Sequence, residues 1–123
     1  MLKGVKEIVP THDERPWGSF DQFTANEAST VKIIRVAAGQ RLSLQRHTGR
    51  AEYWRALSGS GTAEIDGAEH PLMPGASVWI PQGAAHRLSA GPDGIEVLEI
   101  ALGHFDENDI ERLEDDYGRI PSP

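Results

Sequence analysis

Residues 61–70 read GTAEIDGAEH, and the Asp66-Gly67 pair at their centre decides how the chain is to be folded. Both central residues tolerate positive φ. Flanked by short runs, they mark a two-residue type I′ turn between antiparallel strands. The same rhythm extends in both directions. Upstream, TVKIIRV ends at Ala37-Ala38-Gly39, LSLQRH ends near Thr48-Gly49, and EYWRAL ends in SGSG. Downstream, VWIP closes at Pro81-Gln82-Gly83, HRLSA closes at Gly91-Pro92-Asp93-Gly94, and IEVLEIAL follows. Seven or eight strands at this spacing predict an all-β sandwich or barrel. Helix is expected only in the acidic stretch DENDIERLED, with Ile110, Leu113 and Tyr117 docking it on the barrel while its acids face solvent.

A chain of 123 residues, 38% hydrophobic and 25% charged, is most simply one globular domain with a core of its own. No apolar run approaches the roughly 20 residues that a bilayer span requires, so no membrane partner is expected. The opening MLKGVKEIVPTHDERPWG lacks the apolar core of a secretory signal, which makes a cytoplasmic location the expectation. With no cysteine, disulfides and thiolate ligands are excluded, and any metal must take nitrogen and oxygen donors. A net charge of −7 argues against nucleic acid as a partner. The charge is unevenly spread, however. Arg35 to Arg55 holds five arginines and one glutamate, whereas Asp106 to Asp116 holds seven acids and one arginine. The middle of the chain is therefore suited to a small anion.

Strand alternation assigns faces. Gln45 and His47 share a side with Arg41 and Ser43; Glu52 shares one with Trp54 and Ala56; His86 shares one with Leu88 and Ala90, leaving Arg87 opposite. Trp54 and Leu88 are expected to point inward, so the polar groups beside them should do so too. A buried carboxylate beside imidazoles is costly unless a cation compensates it. Gln45, His47, Glu52 and His86 therefore form a candidate ligand set for one divalent metal. Zinc comes first, with manganese, iron, nickel and cobalt open. His12, His70 and His104 fall in turn-like or terminal contexts and read as surface residues. Trp17 and Trp79 read as core or interface packing.

The segment from Gly39 to Gly59 has the pattern G-x5-Q-x-H-x4-E-x6-G, and Gly75 to His86 has G-x5-P-x-G-x2-H. These resemble the two cupin motifs, the first with Gln45 in place of its first histidine. The resemblance implies a double-stranded β-helix, the cupin jelly-roll barrel, with the metal bound inside. On this reading residues 1–30 form an N-terminal arm and first strands, 31–101 the barrel core with both motifs, and 102–123 the acidic C-terminal helix and tail. RPWGSF, LSLQRHTGRAEYW, IPQGAAHRL and DENDIERLEDDYGR further resemble the cupin domain of type II phosphomannose isomerases, often the C-terminal part of a bifunctional enzyme with mannose-1-phosphate guanylyltransferase. Thr48, Gly49 and Tyr53 stand where that family has histidines, and Ala101 stands where it has a glutamine.

The activity implied is interconversion of mannose 6-phosphate and fructose 6-phosphate, a proton transfer between neighbouring carbons through an enediol(ate). Such chemistry needs a metal to polarise oxygens, a base for the carbon-bound proton and a cation for the phosphate. Arg41 is the first phosphate candidate, on its shared face with Gln45 and His47. Arg50, in the turn, follows, and then Arg87. Glu99 and Lys32 are the candidate bases; Glu99 alternates with Ile95 and Val97, so it is an acid on an apolar face. Two other classes stay open at this point: a non-catalytic metal-containing cupin that binds a small sugar or anion, and another cupin enzyme such as an iron-dependent oxygenase. A homodimer is expected, since edge strands of jelly rolls pair between subunits.

Overall fold

A computed structural model describes residues 5–120. Among them are nine strands: β1 (Thr11–Arg15), β2 (Gly18–Gln22), β3 (Thr30–Val36), β4 (Leu44–Arg46), β5 (Arg50–Ile65), β6 (Ala68–Leu72), β7 (Ser77–Ile80), β8 (His86–Gly103) and β9 (Glu111–Glu114). β1 and β2 form a separate hairpin; the other seven belong to one continuous antiparallel sheet. Asp66 (φ 47°) and Gly67 (φ 84°) both adopt the left-handed conformation, and β5 and β6 leave this turn paired from Ile65↔Ala68 to Gly61↔Leu72. The hairpin expected at GTAEIDGAEH is present.

Closure of the barrel depends on β5 and β8, of 16 and 18 residues. The first half of β5, from Arg50 to Ala56, pairs with β7 and with the last part of β8; its second half, Gly61 to Ile65, pairs with β6 and the start of β8. Two register shifts, between Ala56 and Ser58 and between Gly59 and Gly61, turn the corner between these halves. β-Bulges bend and twist a strand in this way. β3 completes one layer along the far part of β8, and β4 with β9 completes the other. The result is a double-stranded β-helix.

Between the layers lie Val36, Trp54, Ala56, Leu72, Ile80, Leu88, Ile95 and Val97, all buried. A second apolar cluster sits on the opposite face of the same strands, where Ile8 of the N-terminal arm packs with Tyr53, Ile100 and Leu102, and with the partly buried Phe23 and Trp79. Alternation along β5 is thus apolar on both sides, since each face is covered. Trp17 is 73% exposed at the tip of the β1–β2 hairpin and packs in neither cluster.

The C-terminal helix expected at DENDIERLED is absent; the stretch forms a turn and then β9, which pairs with β4. A ten-residue helix has little intrinsic stability, because nucleation outweighs the few hydrogen bonds it gains. The edge of β4 offers backbone partners instead. Ile110 and Leu113 are half-buried there, and the exposed Tyr117 donates its hydroxyl toward Gln40 Oε1 and the Arg41 carbonyl. Residues 1–4 and 121–123, the ends of the expected arm and tail, lie outside the described residues.

Gly59 tests the corner. It has φ +75°, and a Cβ there would overlap the Gly94 carbonyl oxygen. Gly59→Ala is expected to lower stability by on the order of 2 kcal/mol, read from urea unfolding midpoints.

Candidate metal centre

The strand pairings bring the candidate donors together from both layers of the barrel. Glu52 projects from the first half of β5, while Gln45 and His86 face each other across the β4–β8 pairing of the other layer. His47 follows β4 directly. His47, Glu52 and His86 are 3%, 1% and 1% exposed. One donor atom from each lies within 4.8 Å of the others, a spacing that suits a single ion.

Both imidazoles are fixed in the same tautomer. His47 Nδ1 lies 2.6 Å from the Asp109 carbonyl oxygen and His86 Nδ1 lies 2.9 Å from that of Ala84. A carbonyl only accepts, so each Nδ1 carries the proton and each Nε2 keeps a bare lone pair. Those lone pairs face Glu52, with His86 Nε2 3.4 Å from Oε1 and His47 Nε2 3.7 Å from Oε2. Neither His86 Nε2 nor Glu52 Oε1 has a hydrogen-bond partner, although both are buried. Two orphaned acceptors aimed at one point are what a divalent cation would satisfy. The donor set fits a metal.

The electrostatics agree. Burial pushes the Glu52 carboxyl toward protonation, but the surrounding groups, with Arg50 donating directly to it, hold its pKa below the ordinary carboxylate range. Burial lowers the His47 pKa, keeping the ring neutral and able to ligate. Gln45 presents its amide nitrogen 3.4 Å from His47 Nε2, and its oxygen accepts from the Ser43 hydroxyl at 2.6 Å.

A cavity of about 190 Å³ opens beside this cluster, lined by Lys32, Gln45, His47, Arg50, Glu52 and Glu99 among others. Two larger hollows, about 350 and 390 Å³, lie under the N-terminal arm and at the β3–β8 turn, away from the cluster. Glu99 is 3% exposed, and its Oε2 accepts from Trp54 Nε1 at 2.9 Å while Oε1 has no hydrogen-bond partner. Burial, then the nearby Glu52 charge, pushes its pKa up to about 7 against the opposing pull of Trp54 and Lys32. Lys32 sits at the rim, its Nζ 3.8 Å from Glu99 and 3.7 Å from Glu107.

The arginines are divided. Arg50 enters the site, with Nε 3.0 Å from Glu52 Oε2. Arg41 does not. Its guanidinium forms two hydrogen bonds to Asp116, of 2.7 and 2.9 Å, on the surface. The chain from Arg41 to Ser43 is not regular strand, and Arg41 makes only an isolated bridge to Ser89, so two-residue alternation does not carry from β4 back to it. Arg87 is buried on the far side from His86, bonded to the Leu42 carbonyl and to Glu114. Sequence reasoning missed Arg119, which lines the cavity from the tail, and Asp109, whose carboxylate accepts from the Thr48 and Gly49 backbone and the Thr48 hydroxyl. One of three acids in the turn at 106–109, Asp109 offered no period by which to find it.

A His–Glu–His cluster inside a double-stranded β-helix defines the chain as a cupin. The particular family follows from residues 5–115, which match the model described as mannose-6-phosphate isomerase C-terminal, and the chain belongs to that family. Alginate biosynthesis protein AlgA of Pseudomonas putida is 38% identical over 99% of this chain and 28% of its own length. Mannose-1-phosphate guanylyltransferase ManC of Salmonella typhimurium is 39% identical over 86% of the chain and 22% of its own length. The chain thus spans about a quarter of the length of these curated relatives. Among solved structures, the capsular polysaccharide assembling protein CapF of Staphylococcus aureus shares the fold with a TM-score of 0.64 at 20% identity, covering 86% of this chain and 33% of CapF. A cupin protein of Bacteroides fragilis does so at 0.55 and 24%, covering 67% of this chain and 81% of its own.

Glu99 gives a pH prediction with a definite sign. Its folded pKa, about 7, exceeds the ordinary glutamate value of 4.5, so between these values the folded protein binds more protons than the unfolded one. Stability from this group is therefore lost as pH rises from 4.5 to about 7. Metal-free Glu99→Gln should lack that loss, so urea midpoints of the two proteins should diverge over this window in favour of the variant.

Proposed function

We propose that this chain is a metal-dependent sugar-phosphate isomerase domain that interconverts mannose 6-phosphate and fructose 6-phosphate or acts on a related sugar phosphate. The observation that carries the reading is the convergence of His47, Glu52 and His86 beside a cavity that also holds a buried acid, Glu99, whose pKa burial raises. A divalent cation, zinc first, held by these three side chains and by Gln45, would supply Lewis-acid polarisation of the substrate's oxygens. Coordination through Gln45 takes the opposite amide rotamer, in which Ser43 Oγ accepts from the amide nitrogen.

Glu99 is the base. Its Oε2 is occupied by Trp54 Nε1–H, so Oε1 is the atom free to take the carbon-bound proton and return it to the neighbouring carbon. A pKa near 7 suits both directions, because the group must accept and release a proton at neutral pH. Lys32 sits at the rim and is the candidate cation for the phosphate, while Arg119 lines the cavity with its guanidinium bound to Asp115. Arg41 and Arg87 are engaged with the tail. We further propose that the chain acts as a homodimer through the edge of β3, where Val31 and Ile33 are exposed.

One observation favours a second reading, a metal-containing domain that binds a sugar or anion without turnover. Thr48 and Gly49 are taken up by Asp109, and Tyr53 faces the outer apolar cluster, so no group at these three positions reaches the cavity.

Elemental analysis with an isomerisation assay separates the two. The expected result is bound divalent metal and turnover, with His47→Ala and His86→Ala each losing the metal while keeping the fold. Glu99→Gln should keep the metal and lose kcat by about 10²- to 10⁴-fold. Metal-loaded protein that converts neither sugar phosphate overturns the isomerase reading; metal retained in both histidine variants overturns the ligand set.

A further inference from the structure

Arg50 is the side chain whose placement the isomerase reading leaves unexplained. It is 6% exposed, and every nitrogen of its guanidinium is engaged. Nε donates to Glu52 Oε2 at 3.0 Å, and Nη1 donates to the Asp106 carbonyl at 3.2 Å. Nη2 lies 3.3 Å from His47 Nε2. Because His47 Nδ1 carries the ring proton, Nε2 is an acceptor and Nη2–H donates to it. The ring of Phe105 lies against the guanidinium at 4.4 Å.

The donor set is thereby split. Arg50 serves one oxygen of Glu52 and, together with the Gln45 amide nitrogen at 3.4 Å, the lone pair of His47, while the other oxygen of Glu52 and Nε2 of His86 are left without hydrogen-bond partners. A carboxylate has two oxygens and can serve a guanidinium and a second cation together. An imidazole nitrogen has one lone pair and cannot. We propose that Arg50 is the resident counter-cation of this cluster, and that its guanidinium and an incoming metal ion compete for His47 Nε2. This rests on the reading of the cluster as a metal site.

Two consequences follow. The barrel can fold around Glu52 without metal, because the buried carboxylate already has a paired and hydrogen-bonded charge. Metal affinity is set lower than the ligands alone would give, since entry must displace Nη2 from His47 and place a dication beside a fixed positive charge. Because the guanidinium is a rigid plane, moving Nη2 off His47 tilts the whole fork and also loosens its bonds to Glu52 and Asp106, which adds to the cost of entry. If Arg50 instead only held the ligands in place, its loss would disorder them and weaken metal binding. The two ideas predict opposite signs.

The experiment is chelator competition with zinc on the metal-free wild type, Arg50→Gln, Arg50→Lys and His86→Ala, alongside thermal melting of each without metal. Arg50→Gln is expected to bind zinc about tenfold more tightly or better, and to melt about 10 °C lower when metal-free. Arg50→Lys, which keeps the charge without the fork, should fall between wild type and Gln in both readouts. Unchanged or weaker zinc affinity in a folded Arg50→Gln overturns the proposal. Should that variant fail to fold, Arg50→Lys decides: zinc affinity equal to or below wild type overturns it equally. His86→Ala separates this failure from that of the metal site itself, because undiminished zinc affinity there would place the ion elsewhere and remove the ground for both.

Discussion

A single ionised carboxylate, Glu52, lies almost wholly out of water between two layers of apolar side chains. An isolated charge in that setting is costly enough that its neighbours are dictated by it. Two imidazoles supply lone pairs rather than protons, because backbone carbonyls have claimed Nδ1 of each. A guanidinium supplies the positive charge. A second carboxylate, Glu99, is left to hold its proton to unusually high pH, its protonation favoured by burial and by the first. The site is thus a set of responses to one buried charge, and the acid–base character of the cavity follows from it.

The tail belongs to the same account. The acids of residues 106–116 look like a solvated run, yet several engage arginines of the barrel: Asp116 with Arg41, Glu114 with Arg87, Glu111 with Arg46. Exposed pairs of this kind contribute little individually. Their effect is directional, since they lay β9 against β4 and bring the Asp109 carbonyl within reach of His47. The charge asymmetry that suggested an anion site is therefore used largely within the molecule, Arg119 with Asp115 included, leaving Lys32 at the rim of the cavity.

Much of this was legible in the sequence, for identifiable reasons. Asp66-Gly67 announced a turn because few residue pairs accept two positive φ angles. Glu52, Trp54 and Ala56 share the inward face, and His86 shares it with Leu88, because β5 and β8 are regular there and alternation holds. The same rule placed Arg41 with Gln45 and lost it, since alternation has no meaning across the irregular Arg41–Ser43 link. The apolar spacing of Ile110, Leu113 and Tyr117 suited a helix, but that pattern cannot report an unpaired strand edge waiting elsewhere. Arg119 and Asp109 act from the tail at contacts set by tertiary docking, which leaves no local period to read.

The two long strands have a mechanical meaning. Two layers joined only by loops are held in place by packing alone. Here β5 and β8 each run through both layers, so the carboxylate of one sheet and the histidine of the other are tied by unbroken hydrogen-bonded backbone on either side of the glycine corner. Sliding would require those ribbons to stretch, which covalent geometry forbids. The distance between the facing donors is accordingly a property of chain length rather than of how well the interior happens to be filled, and what pliancy the pocket possesses must reside in its rim.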